Sequence, residues 1–181
     1  PLEPAPDFAA ILRPYQQRGL SWLAFLSSLG LGSCLADDMG LGKTVQLLAL
    51  ESAQRHEQPD TAPTLLLCPM SLVGNWQREA AKFAPGLRVY AHHGTGRLRD
   101  EVLHAHLDDV DLVVTTYGTA TRDIDGLASY RWNRVVLDEA QAVAQPRHQR
   151  FVEGEGAVEV GDADEDMGQQ HGASLGECGW H

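Results

Sequence analysis

The sequence is poor in cysteine and contains no long apolar run, and each shortage excludes a class of protein. Its three cysteines, Cys34, Cys68 and Cys178, are far apart and odd in number, so they match neither a metal-ligand spacing nor a disulfide framework. No run approaches the roughly 20 apolar residues of a membrane span, and no secretion signal opens the chain. We therefore expect a cytoplasmic protein without a membrane partner.

Positive charge is missing from the C-terminal end, where acidic residues accumulate. The formal net charge of the 181 residues is −11, but eight of the 25 acidic residues lie within 151–181, which contains neither lysine nor arginine. The rest of the chain is nearly neutral. A nearly neutral body neither excludes nucleic acid nor argues for it, because a local basic face can bind phosphates.

The strongest motif is a glycine loop between a short apolar run and a helical pattern. The run Ser33–Ala36 predicts a strand, and the loop Asp37–Thr44 follows it and leads into a helix that begins near Lys43. Strand, glycine loop, lysine, hydroxyl and helix, in this order, are typical of a phosphate-binding loop. The sequence therefore predicts a nucleotide site, although the strict pattern has a glycine where this chain has Asp37. The alternative is that Gly-Lys-Thr only begins a helix.

Each residue type in this loop has a physical role in holding phosphate. Gly40 and Gly42 let the backbone approach the phosphates and direct its N–H groups towards them, while the helix adds the positive end of its dipole. Lys43 is one of only two lysines in the chain, with Lys82, and we expect it to reach the β- and γ-phosphates. The Thr44 hydroxyl is expected to ligate Mg²⁺.

Short apolar strands alternate with helical patterns along the chain, which predicts an α/β fold with a parallel sheet and helices on both faces. Helices are expected from Pro14 to Gly30, from Lys43, from an N-cap at Ser71 to Phe83, from Arg97 to Leu107 and near 124–129. Strands are expected at Ser33–Ala36, Thr64–Cys68, Leu87–Ala91, Leu112–Thr116 and Arg134–Leu137. In such a sheet, ligands lie beyond the carboxyl ends of the strands.

A second motif, Asp138-Glu139-Ala140-Gln141, follows the last of these strands. Asp138 at a strand end can hold Mg²⁺ through water, while the adjacent Glu139 can orient and deprotonate an attacking water. The alternative is an acidic turn after a buried strand. Because this motif and the glycine loop both follow strand ends, they can face one site.

With these motifs, residues 11–145 resemble the first RecA-like lobe of the Swi/Snf-type ATPases, the double-stranded-DNA translocases within helicase superfamily two, and are similar to bacterial members. Leu12–Gln16 resembles the family's adenine-recognition motif. Asp37–Thr44 resembles the family's own variant of the phosphate loop, which accounts for the missing first glycine. Asp138–Gln141 resembles its DEAH-like box.

The resemblance implies specific roles at an ATP site and a partner for the whole enzyme. The catalytic residues would be Lys43, Asp138 and Glu139. ATP would be bound by Gln16 at the base and by Asp37, Asp38, Met39, Gly40, Leu41, Gly42, Lys43, Thr44 and Gln141. The Mg²⁺ ligands would be Thr44 and Asp138. In the intact enzyme, ATP hydrolysis would drive stepping along double-stranded DNA.

Two further segments, Cys68–Trp76 and Thr115–Tyr117, resemble those that face the DNA backbone in this family. Ser71 and the Thr116 hydroxyl suit contacts to phosphate, which position a protein on DNA without reading its sequence. The alternative is that both residues only cap a helix or end a strand. Trp76 lies on the apolar face of its helix and is expected in the core rather than on a base.

We expect three regions, an extended lead-in (1–10), the ATP-binding lobe (11–145) and an acidic, glycine-rich tail (146–181). The tail's composition cannot bury enough apolar surface to offset chain entropy, so we expect it to be disordered or the product of a shifted reading frame. An acidic interaction tail is the alternative.

Family members continue into a second RecA-like lobe, which completes the ATP site and the DNA track. The resemblance therefore implies a truncated first lobe whose sheet is incomplete at its C-terminal end. Two rival functions remain for such a chain. One is a nucleotide-binding interaction module, and the other is an inactive truncated product, both without turnover.

Overall fold

Continuous apolar runs form a six-stranded sheet in the computed structural model, which describes residues 2–36, 40–139 and 158–161. The strands are β1 Ser33–Ala36, β2 Thr64–Cys68, β3 Val89–His92, β4 Leu112–Thr116, β5 Arg134–Asp138 and β6 Val158–Gly161. Their order across the sheet is β1-β6-β5-β2-β4-β3, and every neighbouring pair is parallel. The predicted α/β fold is confirmed, and the carboxyl ends of all strands meet at one edge.

Six helices cover the two faces of this sheet in the described part of the chain. They are α1 Pro14–Ser28, α2 Lys43–Glu57, α3 Met70–Phe83, α4 Asp100–Leu107, α5 Tyr117–Arg122 and α6 Ile124–Ala128. One face packs on α1, α2 and α3 through residues such as Leu20, Leu47 and Trp76. The other face packs on α4, α5 and α6 through residues such as Leu103 and Leu127. Because both faces are covered, β2 and β4 are buried along their whole length, which explains their unbroken apolar sequences. None of these six helices combines the length and apolarity needed to cross a bilayer.

Several predicted element bounds differ from the structure, and the sequence patterns did not predict α5. Strand β3 is shifted towards the C-terminus and ends at His92. Helix α4 begins at Asp100 rather than Arg97, because the Arg97 guanidinium is held by the carboxylate of Asp123. Ser71 is not an N-cap: α3 begins at Met70, after a proline whose fixed φ and missing N–H suit the start of a helix.

Strand β6 lies in the stretch for which the sequence predicts no regular structure, so that prediction is wrong for Val158–Gly161. The strand pairs with β1 on one side and with β5 on the other, and Val158 lies opposite both Ser33 and Val136. Strand β6 provides hydrogen-bond partners for backbone N–H and C=O groups of both β1 and β5. Amino-acid composition does not reveal this stabilisation, because it comes from pairing of the backbone. The rest of 146–181 lies outside the described residues, and its assignment as a tail stays a prediction.

Candidate nucleotide-binding site

A pocket of about 380 Å³ at the carboxyl edge of the sheet brings the two predicted motifs together. Lys43 and Thr44, in the first turn of α2, line one part of it, and Asp138 and Glu139, at the end of β5, line another. A larger cavity of about 630 Å³ lies at the opposite edge, away from both motifs, so size alone does not identify the site. The structure thus places in one pocket the four residues that the sequence predicts to act together.

The glycine loop reaches α2 through two residues with left-handed backbones. Gly40 has φ +81° and Gly42, the N-cap of α2, has φ +78°. A side chain disfavours this conformation, so glycine is the residue that adopts it readily. A Cβ at Gly42 would also lie 2.5 Å from the side-chain nitrogen of Gln16. The loop therefore enters the helix in a conformation that leaves the first-turn N–H groups without intrahelical acceptors, as phosphate binding requires.

Gln16 holds the glycine loop from the side of α1. Its Nε2 donates a hydrogen bond to the carbonyl of Leu41 at 3.0 Å, and its Oε1 accepts one from the backbone N–H of Arg13 at 2.9 Å. The hydroxyl of Tyr15 donates to the same Leu41 carbonyl at 3.1 Å. Gln16 is buried. The structure therefore gives Gln16 a role in positioning the loop, and its contact with the base stays a prediction.

Asp138 is held by two aromatic side chains from different elements. The indole Nε1 of Trp76, on α3, donates to Asp138 Oδ2 at 2.7 Å, and the hydroxyl of Tyr117, on α5, donates to the Asp138 carbonyl at 2.8 Å. Trp76 is 1% exposed and Asp138 is 8% exposed. Trp76 lies in the core, as the sequence predicts, but its contact with the carboxylate has no signal in the sequence.

Glu139 follows with a left-handed backbone, φ +52°. A non-glycine residue in this region carries strain on the order of 1–3 kcal/mol, and such strain is concentrated at functional sites. The next residues of the motif, including Gln141, lie outside the described residues, as do Asp37, Asp38 and Met39. Their predicted contacts with ATP stay predictions.

Helix α3 forms a wall of the pocket that the sequence analysis did not identify. Asn75 and Glu79 line the cavity beside Trp76, and the Asn75 amide donates to Glu79 Oε1 at 3.1 Å. Apolar Leu72 and Phe83 line it as well. The spacing of Asn75 and Glu79 could have indicated this wall. The two residues lie one turn apart on α3, next to its apolar face, so their side chains share one side of the helix.

Burial and nearby carboxylates suppress the reactivity of Cys68, at the end of β2. Loss of hydration raises the pKa of this thiol to about 12, and the negative charges of Asp138 and Glu139 act in the same direction. Its Sγ lies 3.7 Å from the carbonyl oxygen of Thr115. The thiol therefore stays protonated near neutral pH and does not act as a nucleophile.

The two residues predicted to contact DNA differ in accessibility. Ser71 is exposed in the first turn of α3, next to the exposed Met70. Thr116 is 5% exposed, and its Oγ1 accepts from the Thr119 N–H at 3.1 Å and donates to Thr119 Oγ1 at 2.9 Å, as a helix cap. The capping role of Thr116 is therefore observed, while a phosphate contact by either residue stays a prediction.

A separate buried cluster ties down the loop that follows β3. Arg97 Nη2 donates to Asp123 Oδ1 at 2.8 Å, and His92 Nε2 lies 2.9 Å from Asp123 Oδ2. The hydrogen bond from Arg97 is the main reason that the pKa of Asp123 falls to about 2. Burial lowers the pKa of His92, although Asp123 opposes the shift. None of the three lines the nucleotide pocket, whereas His92 and Asp123 line a separate cavity of about 240 Å³.

The residues of the pocket fit Mg-ATP by their chemistry. Mg²⁺ prefers hard oxygen ligands, and the pocket offers the Thr44 hydroxyl and the Asp138 carboxylate. Lys43 adds a positive charge at the start of α2, where the helix dipole also favours phosphate. Glu139 directly follows Asp138 and is a carboxylate that can accept a proton from water, while Glu79, on α3, accepts a hydrogen bond from Asn75.

Known proteins are similar to this chain in sequence. A profile of the SNF2-related domain matches residues 15–153. YwqA of Bacillus subtilis, a candidate ATP-dependent helicase/translocase, is 45% identical over 139 residues, which cover 77% of this chain and 15% of YwqA. The TATA-binding protein-associated factor MOT1 of Saccharomyces cerevisiae is 37% identical over 145 residues, which cover 74% of this chain and 8% of MOT1. The chain thus spans less than a sixth of the length of these curated relatives.

Solved structures of SWI2/SNF2 ATPase cores are also similar to this chain. The SWI2/SNF2 ATPase core of Sulfolobus solfataricus in complex with dsDNA superposes with a TM-score of 0.73 at 37% identity, covering 90% of this chain and 34% of that one. A second structure, of the SWI2/SNF2 ATPase core domain of Sulfolobus solfataricus, superposes with a TM-score of 0.71 at 38% identity, covering 89% of this chain and 32% of that one. The profile match over most of the chain, together with these relatives, shows that the chain belongs to the SNF2-related domain family.

Proposed function

We propose that this chain is the ATP-binding first lobe of an enzyme that hydrolyses ATP to move along double-stranded DNA. One observation carries the proposal: Lys43 and Thr44, after β1, share a single pocket with Asp138 and Glu139, after β5. Phosphoryl transfer needs a phosphate cradle, a metal site and a carboxylate beside the attacking water, and these four side chains supply the required groups.

Each side chain has one task in this proposal. Backbone N–H groups at the start of α2 and the ammonium group of Lys43 bind the phosphates. Thr44 and Asp138 hold Mg²⁺, which when bound neutralises charge on the β- and γ-phosphates. Glu139 orients a water and accepts its proton as the water oxygen attacks the γ-phosphorus and the bond to the bridging oxygen breaks. Gln16 keeps the glycine loop in place, and the second N–H of its amide is the group proposed to contact the base.

Double-stranded DNA is the proposed track, and a second RecA-like lobe is the proposed partner. Support comes from the ATPase core of Sulfolobus solfataricus, whose structure was solved with dsDNA and which is nearly three times as long as the matched region. Ser71 is exposed at the carboxyl edge and suits a phosphate contact, which would position the lobe without reading sequence. Thr116, at the end of the neighbouring strand β4, would order the backbone beside it.

Replacing Lys43 with alanine tests the nucleotide site. The loss of charge-assisted contacts, each on the order of 1.5–3 kcal/mol, should weaken binding of a fluorescent ATP analogue with Mg²⁺ by about tenfold or more. Lys82→Ala is the matched control, because it removes the only other lysine, which stacks on the pocket residue Phe83 but does not itself line the pocket.

Equal affinity of the parent chain and the Lys43→Ala variant would contradict the nucleotide site. A steady-state ATPase assay of the same proteins, with and without duplex DNA and with the second lobe of a relative added, separates an ATPase from a module that only binds nucleotide. Turnover that neither DNA nor the second lobe increases would contradict the translocase part of the proposal.

A further inference from the structure

Two helices that follow the neighbouring strands β2 and β4 each provide a side chain that donates a hydrogen bond to Asp138. Trp76 reaches it from α3, the helix that follows β2, and Tyr117 reaches it from α5, which follows β4. These donors are 62 and 21 residues away from Asp138 in the sequence. Both donors are aromatic side chains with few rotatable bonds, and the N–H of the Trp76 indole has a direction fixed by its ring.

The contact of Trp76 is more specific than the packing of a core tryptophan requires. A buried indole N–H needs an acceptor, and a backbone carbonyl is sufficient, as Trp132 shows by donating to the Leu127 carbonyl at 2.7 Å. Trp76 instead donates to a carboxylate oxygen that lines the nucleotide pocket. A hydrogen bond to a charged acceptor is roughly twice as strong as one between neutral groups. The hydrogen bond from Trp76 therefore restricts rotation of the Asp138 carboxylate. A carboxylate must have a suitable orientation to act as a metal ligand.

We propose that Trp76 is a positioning residue for Asp138, and that it sets the affinity of the pocket for Mg²⁺ in the nucleotide complex. Tyr117 has the supporting role of holding the backbone at the same residue. The inference rests on the proposed function, because Asp138 must be a metal ligand for its orientation to matter. Groups that orient a metal ligand through a hydrogen bond change metal affinity by about 10- to 100-fold when they are removed.

The test replaces Trp76 with 3-benzothienylalanine, which keeps the shape of the ring but has sulfur in place of the N–H. The same replacement at Trp132 is the control, since it removes a part-buried indole hydrogen bond away from the pocket. The measurement is the Mg²⁺ concentration that gives half of the Mg²⁺-dependent binding of a fluorescent ATP analogue, together with binding in EDTA and the midpoint of thermal unfolding. We expect the Trp76 replacement to raise the half-saturating Mg²⁺ concentration by about tenfold or more, with binding in EDTA unchanged.

An unchanged Mg²⁺ dependence, or the same change after replacement of Trp132, would overturn the proposal. If the Trp76 variant does not fold, Tyr117→Phe decides, with Tyr130→Phe as its control because the Tyr130 hydroxyl bonds to Asp108 on the surface. The proposal is supported if the half-saturating Mg²⁺ concentration rises for Tyr117→Phe and not for Tyr130→Phe, by less than the rise expected for the Trp76 replacement. The same Mg²⁺ dependence in Tyr117→Phe and Tyr130→Phe refutes it. Failure of the proposed function gives a different result, namely a parent chain that binds the analogue no better than Lys43→Ala.

Discussion

At the scale of single residues, the shape of the phosphate loop depends on a close approach between Gly42 and Gln16. The left-handed backbone of Gly42 turns the chain into α2, and the Gln16 amide occupies the space where a Cβ would lie. Gln16 cannot simply move away, because both ends of its amide are hydrogen-bonded, to Leu41 and to Arg13. Any side chain at position 42 therefore strains the backbone and displaces the residue that holds the loop.

Gly42→Ala should weaken nucleotide binding, whereas Gly30→Ala should not. Both glycines have positive φ, so alanine costs roughly 1–2 kcal/mol of backbone strain at either position. At Gly30 nothing lies near the added methyl group, while at Gly42 the methyl meets Gln16. Thermal unfolding and titration with a fluorescent ATP analogue check this. Gly42→Ala that binds and melts like Gly30→Ala would contradict the importance of the Gln16 contact, and Gly42→Ala/Gln16→Ala should recover part of the lost stability.

The sequence alone predicts which residues come together in the candidate nucleotide pocket, but not what holds them there. Lys43, Thr44, Asp138 and Glu139 could be identified because phosphate and Mg²⁺ require those side chains directly after strand ends. The Trp76 contact could not be predicted, because no spacing rule connects an indole with a carboxylate 62 residues away. Such contacts depend on the packing of helices, which is decided by the whole core.

At the scale of elements, a buried ion pair and its hydrogen bonds join three elements, β5, α2 and α1, at the edge of the sheet opposite the pocket. Arg134, at the start of β5, pairs with Glu51 of α2, and the two side chains are 2% and 1% exposed. The guanidinium also donates to Ser27 Oγ on α1 and to Gln54 Oε1 on α2, both at 2.8 Å. The Thr64 hydroxyl completes the network by donating to Glu51 at 2.9 Å. The two buried charges thus compensate each other, and side chains of α1 and α2 accept hydrogen bonds from the guanidinium.

Arg134→Met should destabilise the domain by about 3–5 kcal/mol, because it leaves the Glu51 carboxylate buried without its partner. Arg134→Met/Glu51→Gln should recover much of this loss, since it removes the uncompensated charge as well. Urea unfolding of the two variants and the parent checks this. Arg88→Met is a control, because Arg88 is half-exposed and its partner Asp111 keeps Arg55 nearby. A double variant no more stable than the single one would contradict the argument.

The bounds of a helix or strand could be predicted from the sequence where a single sequence pattern determines them. The bounds of β2 and β4 agree with the sequence prediction, because a strand buried on both faces has an unbroken apolar run between turn residues. The start of α4 was not predictable, because the ionic contact of Arg97 with Asp123 competes with helix propensity there. The burial of Arg134 was not predictable either, since its partner Glu51 lies 83 residues earlier.

At the scale of the whole molecule, β6 connects the two halves of the site. In the described residues β1 pairs with β6 and with no other strand, whereas β5 pairs with both β6 and β2. The glycine loop follows β1, and Asp138 ends β5. The position of the loop relative to the acidic motif therefore depends on four residues that composition alone does not mark as a strand.

A chain that ends at residue 157 should be less stable than one that ends at residue 161. The shorter chain lacks β6, so facing edges of β1 and β5 lose their ladder partners, while the longer chain keeps the full sheet. A loss of roughly 2 kcal/mol or more would lower the unfolding midpoint by about 4–8 °C, and nucleotide affinity should fall with it. Identical melting and binding of the two chains would contradict a structural role for β6.

The central position of β6 also affects the order of events during translation. The ribosome makes β1 long before β6, and at about 5–20 residues per second the interval is on the order of ten seconds. Only in the last part of this interval, after β5 has been made, does the nascent chain contain both the glycine loop and the start of the acidic motif, and it still lacks the strand that joins them. A bound nucleotide stabilises only a folded site. ATP can therefore assist the folding of this domain only after synthesis has passed Gly161.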